Sequence, residues 1–266
     1  MTVHHLKPAR HTLHNFFSRE MKPALTIESG DTVLCKTLDS AWGKEQRAEL
    51  GAARIRWTDV DEERMAPHFG HALLGPIAIK EAKQGDTLEV TINEIIPGEW
   101  GWASGGGFPS ECNKQLSIEN EPEAMLDFLL DRDKMEAKSQ FGNFNHKVKL
   151  APFMGIMGMP PNKSGAHTTF VPRNCGGNID CNLLQAGSTL YLPISVDEAF
   201  FSIGDGHAVQ GDGEVSGPAL ECPMDRVNVT LNVRKDIEVK RHGHKRKKGL
   251  LQWHLIKTLM RQCGLL

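Results

Sequence analysis

The segment Ser202–Glu214 concentrates side chains that can bind a metal ion or move a proton. Asp205 and His207 stand two positions apart, so that on a β-strand both lie on the same face. A carboxylate and an imidazole on one face suit a divalent cation such as zinc. Asp212 and Glu214 repeat this spacing and can bind a second hard ion or provide a general base. The alternative is a pair of β-turns with solvated acids and a structural histidine, and the pattern leaves both interpretations open.

A second group of polar residues lies in the segment Pro172–Cys181. Gly177 lets the backbone approach a ligand closely, while Asn178 and Asp180 alternate onto one face of an extended chain. The two cysteines of the segment are six positions apart, which is not the spacing of a zinc ribbon. An ordinary turn followed by a strand is the alternative interpretation.

Ligand-type residues also occur in three other places. Asp39 follows the predicted strand Thr32–Thr37, where a carboxylate often reaches into a cleft. His68 and His71 flank a glycine in a predicted loop, and one of them is expected to be an ordinary surface histidine. The amino-terminal segment is expected to be exposed, which argues against a metal role for its histidines: His4, His5, His11 and His14.

The elements that position these residues are predicted to be mainly β-strands. Several short apolar runs are rich in β-branched residues and bounded by Gly, Asp or Pro. They are Thr32–Thr37, Thr87–Ile95, Thr189–Val196 and Val227–Val233. Gly30, Gly85 and Gly187 each precede a strand by two residues, which predicts a tight turn with positive φ at the glycine.

One helix is predicted over Glu121–Lys138. Its apolar residues recur at spacings of three and four, and Pro122 would occupy its first turn. Glycine-rich loops are predicted on either side, at Gly98–Pro109 and Gly155–Gly165. No segment resembles a linker between independent units, so the sequence predicts one intertwined β-rich domain.

Composition and charge exclude several classes of protein. With 39% hydrophobic and 24% charged residues, the 266 residues are unlike a disordered chain, a collagen-like repeat or a coiled coil. No run approaches the roughly 18 apolar residues of a membrane-spanning helix, and the start of the chain has no apolar signal segment. Six cysteines without a dense framework fit free thiols, so a cytoplasmic protein is expected.

The net charge of −2 conceals an uneven distribution. The first 233 residues carry 31 acidic and 21 basic side chains, whereas the residues from Arg234 onward carry ten basic and two acidic ones. The acidic body argues against nucleic acid or a membrane as a partner.

Short motifs run in order along the chain, and the longest is GDGHAVQGDGE at residues 204–214. The others are Leu38-Asp39, Gly75-Pro76-Ile77, Gly85-Asp86-Thr87-Leu88, Pro152-Phe153-Met154-Gly155, Gly177-Asn178-Ile179-Asp180 and Gly187-Ser188-Thr189-Leu190. Together they resemble the acetamidase/formamidase family, from about residue 3 to about residue 238. The resemblance implies a β-rich α/β fold of stacked mixed β-sheets with few helices, a single intertwined domain over residues 1–240, and a homodimer or higher homo-oligomer.

The same resemblance implies an amidohydrolase that converts formamide, acetamide or a similar short linear amide to a carboxylic acid and ammonia. It implies a divalent metal, zinc first and calcium as the alternative, with Asp39, Asp205 and His207 as ligands. Residues expected around the same pocket are Asn178 and Gly177, which would bind the substrate, and Glu214, Asp180 and His71, which would be catalytic.

The expected chemistry is metal-assisted hydrolysis. A metal polarises the amide carbonyl and lowers the pKa of bound water to about 7, while a carboxylic acid or histidine protonates the leaving nitrogen. A cysteine nucleophile, Cys175 or Cys181, is the rival mechanism, although neither has a neighbouring histidine in the sequence. Two other classes stay open: a catalytically inactive member that binds a metal or small amide, and a metal-dependent β-barrel binding protein.

The basic tail, Arg241–Leu266, departs from the acidic, aliphatic ending that the resemblance implies. It contains the run Lys245-Arg246-Lys247-Lys248 ahead of Trp253. Three interpretations stay open: a tether to phosphate groups, a solvated basic face on a terminal helix, or a tail read out of frame. The last of these predicts that residues beyond about Lys240 pack poorly.

Overall fold

The computed structural model describes residues 1–67, 70–107, 111–141, 145–214, 217–239, 243–246 and 249–252, with the backbone alone for residues 111–112 and the last two ranges. These residues form twenty β-strands and two short helices. Neither helix is long and apolar enough to cross a membrane.

The strands of the first half of the chain are β1 (Val3–Leu6), β2 (Leu13–His14), β3 (Phe16–Phe17), β4 (Leu25–Ile27), β5 (Thr32–Thr37), β6 (Leu73–Ile79), β7 (Thr87–Pro97), β8 (Trp100–Gly105), β9 (Ala124–Asp131) and β10 (Glu136–Ser139). Those of the second half are β11 (Lys147–Lys149), β12 (Phe153–Gly158), β13 (His167–Thr168), β14 (Gly176–Asn178), β15 (Thr189–Pro193), β16 (Phe201–Val209), β17 (Leu220–Glu221), β18 (Met224–Arg234), β19 (Gly243–Arg246) and β20 (Gly249–Gln252). The helices are a 3-10 turn at Glu62–Arg64 and α1 at Glu111–Gln115.

The first sheet has seven strands in the order β1-β5-β18-β7-β15-β19-β20. Only β1 and β5 pair in parallel, and the other neighbours are antiparallel. Its strands follow the period of two that the sequence predicts: on β7, Leu88, Val90 and Ile92 are buried. Burying each of these side chains stabilises the fold by about 1.5–3 kcal/mol.

The second sheet has eleven strands, and its main path is β11-β10-β9-β8-β17-β16-β12-β14. Strand β6 also pairs with β16 and connects β2 and β4 to the sheet. Every residue of β6 and β12 is buried, so these strands lie inside the molecule. A two-stranded ribbon of β3 and β13 completes the architecture. The stacked, mixed sheets confirm the predicted β-rich fold.

The three predicted glycine turns are present. Gly30, Gly85 and Gly187 have φ of 93°, 98° and 85°, and the strands that follow begin at Thr32, Thr87 and Thr189. These φ values are open to glycine at little steric cost, which is why the same three-residue pattern precedes three strands.

The predicted helix over Glu121–Lys138 is wrong. The segment forms the hairpin of β9 and β10, and Asp131 closes its turn by accepting a hydrogen bond from the backbone N–H of Lys134 at 3.0 Å. On β9, Phe128 and Leu130 are buried while Leu129 is 47% exposed, which is the period of a strand. The spacing of the apolar residues fits the period of a helix as well as that of a strand. The segment is a strand because β9 pairs with β8 on the edge opposite β10.

Both predicted glycine-rich loops contain strands as well. Gly98–Pro109 includes β8, and Gly155–Gly165 includes the end of β12, because glycines there let neighbouring strands approach closely.

In the tail, the backbone of β19 pairs with β15 at the edge of the first sheet. Lys247, Lys248 and residues 253–266 lie outside the described residues, so the three interpretations of the tail stay predictions.

Candidate active site

Two of the predicted ligands lie on one buried strand of the second sheet. Asp205 and His207 both belong to β16, and His207 Nε2 lies 3.3 Å from Asp205 Oδ1, as their spacing predicts. Asp205 has φ of 58°, and Asp180, which follows β14, has φ of 45°. Such left-handed conformations are uncommon outside glycine and cluster at functional sites.

Two glutamates approach the same imidazole from other elements. Glu221 on β17 is directly opposite His207 in the antiparallel pairing, and its Oε1 lies 3.3 Å from Nε2. Glu214 follows β16, and its Oε1 lies 3.6 Å from that nitrogen. The sequence analysis included Glu214 but missed Glu221. Its one signal in the sequence was a lone carboxylate in an apolar segment.

These side chains form two overlapping groups of potential metal ligands. The ligand atoms of Asp180, Asp205 and His207 lie within 4.8 Å of one another, and so do those of His207, Glu214 and Glu221. We refer to all five residues as the acid–histidine cluster. Three of them, Asp205, His207 and Glu221, are almost completely buried.

The cluster shifts the pKa of its members in ways that reflect burial and mutual charge. Burial raises the pKa of Glu214 to about 8, and the charges of Glu221 and Asp205 add to the rise while His207 opposes it. Burial likewise raises the pKa of Asp180 and of Glu221. Burial opposes a charged His207 ring, but Glu221 and Asp205 outweigh it and raise the pKa of His207 well above 6.5. Four acidic groups therefore surround one imidazole, and the cluster has an excess of negative charge whenever they are ionised, a state that a bound cation would stabilise.

Several buried polar atoms of this region have no hydrogen-bond partner among the described residues. They include one atom in every member of the cluster: Asp180 Oδ1, Asp205 Oδ1, His207 Nδ1, Glu214 Oε1 and Glu221 Oε2. Buried polar atoms in folded proteins are almost always paired, so a concentration of unpaired ones calls for an unseen partner. Oxygen and imidazole donors with excess negative charge fit a divalent cation.

A cavity of about 590 Å³ gives access to the cluster. Asp205, Glu214 and Glu221 line one side of it, and Arg54, His71 and Trp102 are among the residues that line the remainder. Asn178 also lines the cavity; its Nδ2 donates to Phe170 O at 3.5 Å, and its buried Oδ1 has no partner. Gly177 pairs with Met157 in the sheet and is not among the lining residues.

His71 is held at the cavity by its neighbours. Its backbone N–H donates to Thr169 Oγ1 at 3.0 Å, and its Nδ1 lies 2.8 Å from the same oxygen. The ring also packs against Phe170, with 4.7 Å between the ring centroids. The structure thus brings four of the five predicted catalytic and substrate-binding residues to one region, namely Glu214, Asp180, His71 and Asn178, with Gly177 beside Asn178. Two of the three predicted ligands, Asp205 and His207, lie there as well.

Comparison with known families identifies proteins that this chain resembles. The model of the acetamidase/formamidase family matches residues 2–165 and 162–247. The chain belongs to the acetamidase/formamidase family.

Individual family members show how far the similarity extends. A Schizosaccharomyces pombe protein whose name places it among the formamidases is 29% identical over 266 residues, covering 79% of this chain and 62% of that protein. A formamidase of Methylophilus methylotrophus is 23% identical over 287 residues, covering 88% of this chain and 66% of that protein. The chain therefore spans less than two thirds of the length of these curated relatives. The crystal structure of a predicted acetamidase/formamidase from Thermoanaerobacter tengcongensis is 27% identical, with a TM-score of 0.73, and the match covers 92% of this chain and 74% of that one.

One ligand expected from the family resemblance lies elsewhere. Asp39 is completely buried, and its Oδ2 accepts hydrogen bonds from Arg54 at 2.6 Å and from Trp102 Nε1 at 2.7 Å. The backbone N–H of Gly43 donates a hydrogen bond to the other carboxylate oxygen, Asp39 Oδ1. Since both oxygens already have donors, Asp39 is the partner of a buried guanidinium and does not belong to the acid–histidine cluster. Arg54 also lies over the Trp102 ring, 4.2 Å from its centroid.

The cysteines offered as nucleophiles lie away from the cavity wall. Cys175 is buried and its Sγ donates to Met159 O at 3.2 Å, while burial raises the pKa of its thiol. Cys181 is buried too, and neither residue lines the cavity. A nucleophilic thiol needs a lowered pKa and access to substrate, so this environment does not favour the cysteine mechanism.

The prediction that the amino-terminal histidines are exposed fails for His14. Its ring is fully buried, with Nδ1 2.8 Å from Phe16 O and Nε2 3.1 Å from Ser202 Oγ. Its place on β2, which pairs with the buried strand β6, draws it into the core. His68 lies outside the described residues.

Proposed function

We propose that the protein hydrolyses the carbon–nitrogen bond of short linear amides, such as formamide and acetamide, to a carboxylic acid and ammonia. The observation that carries the proposal is the acid–histidine cluster at one wall of the cavity, in a chain of the acetamidase/formamidase family. The family's named members support the substrate class.

We further propose that the cluster holds a divalent metal, with zinc expected first and calcium as the alternative. Asp180, Asp205, His207 and Glu221 are the residues that would hold it, with Glu214 beside them. The unpaired atoms and the excess of negative charge described above support this assignment. When bound, such an ion polarises the amide carbonyl and makes a water molecule more acidic.

Glu214 is the member of the cluster best suited to move a proton. Its side chain is 19% accessible, against 4% for Asp205 and for Glu221, and it lines the cavity. A carboxyl group with a pKa of about 8 can both accept and donate a proton near neutral pH. In the proposed reaction it takes a proton from the attacking water, whose oxygen bonds to the carbonyl carbon. It then gives that proton to the amide nitrogen as the carbon–nitrogen bond breaks and ammonia leaves.

Other residues of the cavity orient the substrate. Asn178 offers its Oδ1 as an acceptor for the amide N–H groups, because this atom has no partner among the residues that the structure describes. His71 faces the same space and can hydrogen-bond the reacting amide. Holding the amide between fixed groups lowers the entropy lost in reaching the transition state.

Ammonia release and metal content, measured on the same preparation, test the proposal. The purified protein is incubated with formamide, acetamide and propionamide in the presence of zinc or calcium, and its bound metal is determined by mass spectrometry. We expect ammonia from at least one amide and a stoichiometric metal that His207→Ala loses together with activity. Metal without ammonia release from any amide identifies an inactive binding member of the family and overturns the proposed activity. Ammonia release from metal-free protein overturns the metal assignment and leaves the activity standing.

Sedimentation of the same sample tests the homo-oligomer that the family resemblance implies.

A further inference from the structure

Thr169 stands directly behind His71 and makes two contacts with it. Thr169 is completely buried, and its Oγ1 lies 3.0 Å from the backbone nitrogen of His71 and 2.8 Å from ring Nδ1. These two contacts are the complete set of polar partners that the described residues give to this hydroxyl. The question they raise is which atom of each pair carries the hydrogen.

The donors and acceptors of this group have one consistent arrangement. The backbone N–H of His71 can only donate, so it uses a lone pair of Thr169 Oγ1. The hydroxyl hydrogen then needs an acceptor, because a buried O–H without one costs about 1–3 kcal/mol. Nδ1 of His71 is the acceptor within reach, at 2.8 Å. An Nδ1 that accepts has no hydrogen of its own, so in the neutral ring the hydrogen is on Nε2.

Nε2 is the ring nitrogen left for the substrate. It has no hydrogen-bond partner among the described residues, and His71 lines the cavity together with Asp205 and Glu214. Burial acts to raise the pKa of Asp205, whereas the charge of His207 and, when His71 is protonated, that of His71 lower it, so the His71 ring lies near the cluster. Packing of Phe170 against the ring limits its rotation.

We infer that Thr169 is a positioning residue that holds neutral His71 in the tautomer with hydrogen on Nε2, so that His71 presents a hydrogen-bond donor to the reacting amide. This inference rests on the proposed function for its catalytic meaning, whereas the tautomer itself is a property of the protein alone. A threonine hydroxyl thus selects which ring nitrogen can act on substrate. The residue does not touch the substrate and acts only through His71.

The tautomer is measured by two-bond nitrogen–proton NMR correlation of the imidazole rings in the full chain. The His71 signals are assigned by their absence from His71→Gln, and the spectra are recorded at a pH where the ring is neutral. We expect the pattern of hydrogen on Nε2 in the unmodified protein and in Thr169→Ser. In Thr169→Val, which keeps the shape and removes the hydroxyl, we expect a mixture of tautomers. A wild-type pattern with hydrogen on Nδ1 overturns the inference whether or not the valine variant folds.

Steady-state kinetics separate positioning from a structural role. Thr169→Val should lower kcat about 3- to 10-fold, the effect of one net hydrogen bond, with little change in KM, and Thr169→Ser should restore it. Thr91→Val, on β7 and with no side-chain hydrogen bond to any described residue, is the matched control and should be unaffected. Equal kcat and unchanged tautomer in Thr169→Val and the control overturn the inference. If no variant and no wild type releases ammonia, the proposed function fails, and the wild-type spectrum still decides the tautomer.

Discussion

A β-carbon at Gly155 would lie 2.6 Å from Oδ1 of Asp180. The same position is 2.7 Å from Asp205 Oδ2 and 2.8 Å from Cε1 of His207. Real β-carbons do not approach other atoms so closely, so only glycine leaves room for three members of the acid–histidine cluster to converge. The space that a side chain at position 155 of β12 would fill is therefore part of the site.

Gly155→Ala should lose bound metal and amidase activity while the fold is kept. The added methyl group must displace Asp180, Asp205 or His207, and a shift of about 1 Å in a reacting group can lower the rate by about 10²-fold. Metal content, ammonia release and the unfolding midpoint are measured on the same sample. Gly211→Ala is the matched control, because a β-carbon there meets no atom within 4 Å. Full metal content in Gly155→Ala would show that the ion does not lie among these three side chains.

Glu221→Gln should weaken metal binding although it changes one atom. Glutamine keeps the size of the side chain but removes the negative charge that faces His207 across the two strands. Substitutions in the shell around a ligated metal lower affinity about 10- to 100-fold, and a direct ligand should lose at least as much. Titration of the metal-free variant with zinc measures the loss. Glu45→Gln, at an exposed position, controls for the change of net charge, and equal affinities in the two variants would remove Glu221 from the site.

Asp39→Ala should destabilise the protein while the folded fraction keeps its metal. Arg54 would be left as a largely buried charge without its carboxylate, and breaking a buried pair in this way costs about 3–5 kcal/mol. Chemical denaturation measures the stability, and mass spectrometry the metal. The family resemblance made Asp39 a ligand, so loss of metal at unchanged stability would favour that assignment over the ion pair.

The sequence predicted the features that neighbouring residues determine. It could not predict those that depend on contacts between segments far apart in the chain. The turns at Gly30, Gly85 and Gly187 are local, since backbone conformation at one glycine is enough to produce them. The proximity of Asp205 and His207 is also local, because two positions along one strand share a face.

The misses depend on contacts between distant segments. Glu221 reaches His207 only through the register of β17 on β16, and nothing in a run of two residues specifies that register. Asp39 had the right chemistry for a ligand, but its pairing with Arg54, 15 positions further along the same connection between β5 and the 3-10 turn, depends on how that segment folds back. The helix predicted at Glu121–Lys138 failed for the same reason, because pairing with β8 overrides an apolar run that fits either period.

Cys175→Ser and Cys181→Ser should each keep activity close to that of the unmodified protein. Loss of a true nucleophile lowers kcat by many powers of ten, on the order of 10⁶ in subtilisin, so the comparison is decisive. Burial raises the pKa of the Cys175 thiol, which keeps it protonated and unreactive. Ammonia release by each variant is compared after confirming its fold by circular dichroism. A collapse of kcat in either folded variant would restore the cysteine mechanism.

His14 should make the stability of the protein fall as the pH is lowered from about 6.5 to about 3. Burial lowers the pKa of His14 to about 3, and the charge of Arg64 adds to this while the Phe16 carbonyl opposes it. In the unfolded chain the same ring has a pKa near 6.5, so between these values the unfolded state binds one more proton than the folded state. The linkage relation then gives stability that rises with pH, by about 1.4 kcal/mol per pH unit for one proton. Both ring nitrogens support the neutral form, because Nδ1–H can donate to Phe16 O while Nε2 accepts from Ser202 Oγ.

His14→Gln removes the titrating ring. The slope of unfolding free energy against pH should therefore decrease by about 1.4 kcal/mol per pH unit, whatever the substitution does to stability at neutral pH. His5→Gln, at an exposed position, should leave the slope unchanged. Denaturant unfolding at half-unit steps from pH 4 to pH 6.5 gives the three slopes, and equal slopes for His14→Gln and the unmodified protein would mean that the buried ring takes up a proton without unfolding.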